Sequence, residues 1–157
     1  MTDARFEDGE TGPLRLIAQD AESLGVISAL VQDAVFPITE MTYARGRRRF
    51  ALMLNRFRWE DRLEAERTGR PYERVQSLLV FEDVLAVRTS GIDRKDADTV
   101  LSLLQIVFEP GQDGTGTLTL VLAGDGAIAL DLETLDATLR DVTRPYLAPS
   151  RKRPSHE

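Results

Sequence analysis

Hydrophobic positions along the chain follow two different periods. Leu14, Leu16 and Ala18 alternate around Arg15 and Ile17, which predicts a short first strand. Leu24, Ile27, Leu30 and Val31 then recur at helical spacing, predicting a helix over 21–32, with Asp20 as its N-cap and Glu22 in its first turn. Gly25 inside that helix costs up to about 1 kcal/mol relative to Ala, so burial has to stabilise it. From Val35 the period is two. Val35 to Tyr43 reads as one strand interrupted near Pro37, Arg45-Gly46-Arg47 as a hairpin turn, and Arg49 to Phe57 as the returning strand. Phe50, Leu52 and Leu54 share one face of it, and Ala51, Met53, Asn55 and Phe57 the other, which suits a central strand. Residues 59–72 carry no long apolar pattern and read as an exposed loop or a short helical insertion.

Further strands follow over 74–81 and 84–90, broken by Glu82-Asp83, and a charged connection runs from Gly91 to Asp98. Residues 100–108 and 117–123 form a hairpin around a Gly-rich turn, and Gly124-Asp125-Gly126 leads into a strand over 127–132. Thr134 is placed to cap a final helix with Leu135, Leu139 and Val142 on its buried face, ended by Pro145. The expected fold is α+β: mainly an antiparallel meander of about seven strands, with an N-terminal helix and a C-terminal capping helix. That element order matches a pleckstrin-homology-like barrel; the alternative is a two-layer sheet with both helices on one face. Residues 1–13 read as a flexible leader, 14–147 as a single domain and 148–157 as a disordered polar tail.

Composition narrows the chemistry. With no Cys among 157 residues, thiol catalysis, zinc–thiolate sites and disulfides are excluded. The one histidine, His156, lies in the charged tail, where it is poorly placed to act as a base or ligand. A net charge of −6 argues against a general nucleic-acid binder. The charge is unevenly spread: residues 1–44 carry 8 acids and 2 bases, residues 45–74 carry 10 Arg and 5 acids, and residues 75–157 carry 13 acids and 8 bases. An arginine island therefore lies inside an acidic protein. No stretch approaches the roughly 20 apolar residues of a membrane span, and the polar, acidic N-terminal segment is no export signal, so the expected location is the cytoplasm.

Candidate chemistry centres on that island. Arg47 and Arg49, in the run Arg45-Gly46-Arg47-Arg48-Arg49, read either as a solvated hairpin tip or as an anion contact, because several guanidinium groups on one turn can chelate phosphate or carboxylate. Arg56 and Arg58 share a strand face beside Trp59, the single tryptophan. They read as a partner surface, or more blandly as cross-strand ion pairs to Glu40 or Glu82. Asp93, in Ser90-Gly-Ile-Asp-Arg94, follows a Gly expected to need an unusual backbone angle. Paired carboxylates are frequent but fall in turns, and nothing marks one as buried and tuned for acid–base work. Gly111 to Gly116 lacks the Gly-Lys-Ser/Thr ending of a phosphate loop, and Asp93/Asp96/Asp98 lacks the Gly and closing Glu of a calcium loop. No cofactor, metal or catalytic residue is expected.

Several segments together resemble an uncharacterised bacterial family, domain of unknown function 2948. They are Leu14 to Glu22, Ile27-Ser-Ala29, Gln32-Asp-Ala34, Arg48 to Phe57 with Trp59-Glu60, Ser90 to Asp93, Leu101 to Leu104, Phe108-Glu-Pro110 and Gly126 to Leu130. The resemblance implies a single domain over roughly 14–143 and brings no ligand or catalytic residue with it. The expected function is a non-catalytic binding module that contacts an acidic protein partner, or a second copy of itself, through an Arg-rich surface. The alternative is an anionic-ligand binder or an enzyme using Arg and Asp alone.

Overall fold

The computed structural model describes residues 13–147 apart from Arg94, so the leader up to residue 12 and the tail from residue 148 lie outside the described residues. The first strand, β1 (Arg15–Ala18), leads into α1 (Ala21–Leu30). The Asp20 carboxylate accepts the Ser23 amide at 2.8 Å, and this bond holds its pKa below the usual aspartate value. Leu24, Ile27 and Leu30 are the buried face of the helix.

The segment around Pro37 divides as its ring dictates, into β2 (Val35–Pro37), a 3-10 turn over Ile38–Glu40, and β3 (Met41–Ala44). After the Arg45–Arg47 turn comes β4 (Arg49–Phe57), followed by a second 3-10 turn (Trp59–Asp61) and α2 (Arg62–Thr68). The stretch 59–72 is thus a helical insertion rather than a bare loop. The remaining strands are β5 (Glu73–Phe81), β6 (Val84–Ser90), β7 (Val100–Pro110), β8 (Gly116–Leu122), β9 (Ala127–Leu132), β10 (Ala137–Asp141) and β11 (Tyr146–Leu147). The Gly-rich turn at 111–115 joins β7 to β8, as expected for a hairpin.

Every pairing is antiparallel, and the order is β1-β10-β5-β4-β2-β7-β8-β9-β6, with β3 on β4 and β11 on β5. The fold is α+β and dominated by this open sheet. Strand β7 joins its two halves: Val100 to Ser102 pair with β2, while Leu103 to Pro110 pair with β8 after a register shift between Leu103 and Gln105. One core lies between the halves, with Phe50, Leu52, Leu54, Leu79 and Phe81 on one side and Leu118, Leu120, Ile128 and Leu130 on the other. Helix α1 covers it, and the Ser28 hydroxyl of that helix accepts the Ile106 amide of β7 at 2.9 Å.

The capping helix expected after Thr134 is replaced by β10. Leu135, Leu139 and Val142 fit a helical period, but Ala137, Leu139 and Asp141 also fit period two, and Thr138 favours extended backbone. Packing decides in favour of the strand. Between β1 and β5, Leu139 lies opposite both Leu16 and Leu79 and is fully buried, whereas Val142 is 38% exposed. The helix on which the pleckstrin-homology-like plan rested is therefore absent. No described helix is long and apolar enough to cross a membrane.

Gly91 has φ +68°, the unusual angle its sequence context predicted, and a Cβ there would meet the Asp125 carbonyl oxygen at 2.8 Å. The turn after β6 is thereby pressed against the turn between β8 and β9.

Two substitutions separate the strand from the helix. Leu139→Ala should lower unfolding free energy by about 2–5 kcal/mol, and Val142→Ala by no more than about 0.5 kcal/mol. Urea unfolding followed by Trp59 fluorescence measures both; a helix with both residues inward would give two comparable losses.

Candidate functional site

The arginines singled out in the sequence go to two different places. Arg56 continues the inward face of β4 after Phe50, Leu52 and Leu54, and it is fully buried. Its Nη1 and Nη2 donate to the two carboxylate oxygens of Glu60 at 2.9 and 2.8 Å, Nε donates to the Ser77 hydroxyl at 3.0 Å, and Nη2 to Asp141 Oδ1 at 3.0 Å. The 3-10 turn after β4 brings Glu60 back over the arginine. Register does the rest, because Ser77 of β5 lies opposite both Leu54 of β4 and Asp141 of β10. Ser77 donates to Asp141 Oδ1 at 2.7 Å, and Asp141 Oδ2 accepts the Leu14 amide at 2.9 Å, which fastens the start of β1.

Arg58 extends the cluster. It is 5% exposed, pairs with Glu73, and lies 3.6 Å from Asp61, which in turn takes Arg70 at 2.7 Å. Arg56 and Arg58 are therefore internally paired, though by Glu60, Asp141 and Glu73 instead of Glu40 or Glu82. Trp59 beside them is half-buried. Its indole donates to the Gln32 carbonyl at 2.9 Å, and its ring meets Phe57 edge-on at 4.6 Å between centroids. None of the three forms an open surface.

Burial alone would raise the Glu60 pKa; the hydrogen bonds and charge of Arg56, helped by Arg58, outweigh it and hold the carboxyl below the ordinary glutamate value. For Arg56, burial likewise opposes the charged form, and Glu60 and Asp141 overcome it, raising the value further. Arg74 shows the opposite balance: burial lowers its pKa, and its Nε donates to the neutral Asn55 side chain at 2.6 Å.

Arg47 and Arg49 sit at the turn between β3 and β4 and are exposed. Arg49 is held by Glu82 at 3.0 Å and the adjacent Arg48 by Glu133, whereas Arg45 and Arg47 have no side-chain partner among the described residues. Asp93 is exposed, and its carboxylate accepts the Lys95 amide at 3.1 Å; it joins neither Arg56 nor Arg58. Among the described residues no group of three or more His, Cys, Asp or Glu side chains is arranged to hold a metal.

Beside the free arginines lies a cavity that the sequence did not foretell. Among the described residues, strand β3 pairs on one side only, with β4, and β6 pairs on one side only, with β9. The start of β6 is fastened to the turn after β3, where the Val84 amide donates to the Arg48 carbonyl at 2.8 Å, and to β3 itself through the Tyr43 hydroxyl, which donates to the Val84 carbonyl at 2.9 Å. A register shift between Val84 and Ala86 then deflects β6. A slot of about 330 Å³ lies between the two edges. Met41 and Tyr43 line it from β3, Val87 and Thr89 from β6, Phe50 from β4, and Arg45 from the turn.

A family model described as a protein of unknown function, DUF2948, matches residues 14–156, and the chain belongs to that family. No curated protein and no solved structure matches the chain significantly.

Because the folded-state pKa of Glu60 lies below its unfolded value, its contribution to stability is present above the ordinary value of 4.5 and fades as pH falls through the folded one. The urea midpoint of the wild type should drop across this acid range, and that of Glu60→Gln should start lower and change less. Arg56→Ala, which strands buried carboxylates, should cost about 3–5 kcal/mol. Parallel acid profiles for wild type and Glu60→Gln would remove Glu60 from this role.

Proposed function

We propose that this domain is a non-catalytic interaction module of the cytoplasm that recognises an acidic protein partner through the turn carrying Arg45 and Arg47. The observation that carries this reading is the division of the island's arginines. Arg48, Arg49, Arg56, Arg58, Arg67, Arg70 and Arg74 bond to side chains of the same chain, while Arg45, Arg47 and Arg62 have no such partner among the described residues. Two unneutralised guanidinium groups on one turn of a protein with net charge −6 favour an anionic contact there. Nucleic acid is a poor fit to so acidic a chain.

A second reading, a small anionic ligand, is favoured by the size of the slot. At about 330 Å³ it reaches the lower end of ligand-pocket volumes, and Thr39, Thr89 and Arg45 supply polar groups on its wall. A thermal-shift series against phosphorylated and carboxylated metabolites tests it, since a ligand bound to the folded state raises the midpoint by mass action.

For the leading reading the expected outcome is retention of acidic twelve-residue peptides over neutral and basic ones, by fluorescence anisotropy. The affinity should fall at least tenfold in the R45E/R47E variant and weaken with salt. Equal binding of all three peptide classes, or an unchanged affinity in R45E/R47E, would refute it.

A further inference from the structure

The slot has a shape that an acidic patch alone does not require. From Leu85 to Ser90 the outer edge of β6 has no backbone partner among the described residues, and the facing edge of β3 has none either. Unpaired strand edges attract a further strand unless something blunts them. The opposite end of the sheet is different in kind, because β1 is only four residues long. Below the β6 edge the floor is apolar. Val87 and Thr89 lie opposite the buried Leu130 and Ile128 of β9, so they point inward, and Met41, Tyr43 and Val87 pack against the core.

Direction follows from topology. The start of β6 is stitched to the turn before β4, at Arg48, and Ala97, in the connection that follows β6, also lines the slot. An added strand antiparallel to β6, the pairing that is more stable per residue, would run toward the arginine turn. Its C-terminal end would then meet Arg45 and Arg47.

Resting on the acidic-partner reading above, we infer that the partner presents an extended segment that adds as a strand to the free edge of β6, with alternate apolar side chains entering the slot over Phe50 and an acidic C-terminal end at Arg45 and Arg47. Main-chain hydrogen bonds supply affinity in this mode, and the slot and the arginines supply specificity. Six residues of free edge span about 20 Å, enough for three inward side chains.

The probe is an equimolar pool of fluorescein-labelled nine-residue peptides, with Val, Ile, Leu and Phe mixed at alternate positions, Thr between them and two Glu at the C-terminal end. Three outcomes are expected together: binding to the wild type, binding at least tenfold weaker when the same pool is N-methylated on alternate amides, and at least tenfold weaker when the Glu pair is moved to the N-terminal end. Hydrogen exchange of those amides between Leu85 and Ser90 that point away from β9 should slow by at least tenfold in the bound state. If the acidic pool binds in an R45E-sensitive way but N-methylation and the β6 amides are indifferent, strand addition is wrong while the acidic-partner reading stands. If no acidic pool binds, both fall. Protection of the β6 amides that grows with protein concentration, without peptide, would assign the edge to a second copy and overturn the inference.

Discussion

A guanidinium group with no access to water constrains most of this domain. Arg56 projects into the sheet interior, where an unpaired charge would be prohibitively costly, so three other parts of the chain must deliver partners to it. The turn after β4 supplies Glu60, β5 supplies Ser77, β10 supplies Asp141, and Asp141 in turn fixes the amide of Leu14 at the head of β1. The insertion over 59–72 is therefore attached to the sheet by charge as well as by Trp59 and Ala65. Such a network adds little net stability over a well-packed apolar core, but it penalises any arrangement in which one member is missing.

The same residue type does opposite work a few positions earlier. At the turn between β3 and β4, Arg48 and Arg49 are drawn off by Glu133 and Glu82, and Arg45 and Arg47 are left to solvent beside the slot. Arginine suits both tasks, since its planar fork can satisfy two carboxylates in the interior and one incoming carboxylate at the surface. The slot itself is a product of sheet topology: β3 and β6 end their respective halves, meet at Val84, and part after the register shift that follows it.

Much of this was legible from hydrophobic period alone. The strands from β4 to β9, the N-cap at Asp20 and the backbone angle at Gly91 all follow from local chemistry, which depends on few neighbours. Strand β10 was not legible, because Leu135, Leu139 and Val142 satisfy a helical period as readily as Ala137, Leu139 and Asp141 satisfy a strand. Only the neighbours β1 and β5 distinguish the two. The burial of Arg56 was within reach: it occupies the next inward position after Phe50, Leu52 and Leu54, Glu60 lies four residues on, and Ser77 interrupts the inward apolar series of Val75, Leu79 and Phe81. A polar residue on each of two adjoining inward faces is the signal of an internal network. Asp141, Glu73 and Arg70 carry no such signal, since their places depend on pairings between distant segments. The slot was invisible for the same reason, being a gap between strands some forty residues apart.

The buried cluster also fixes how the strands can align. A one-residue slip of β4 against β5 would turn Arg56 to the outer face and bring Asn55 inward, because successive side chains alternate between the two faces. Glu60 and Asp141 would then lose the guanidinium that bridges them. The apolar residues of both strands are interchangeable enough to tolerate such a slip: Ala51, Met53, Leu78 and Val80 on the outer face could fill much of the space left by Leu52, Leu54, Leu79 and Phe81. Charge cannot be exchanged in that way. In a sheet whose two faces are both largely apolar at its centre, Arg56 is what makes one alignment of the chain distinguishable from the next.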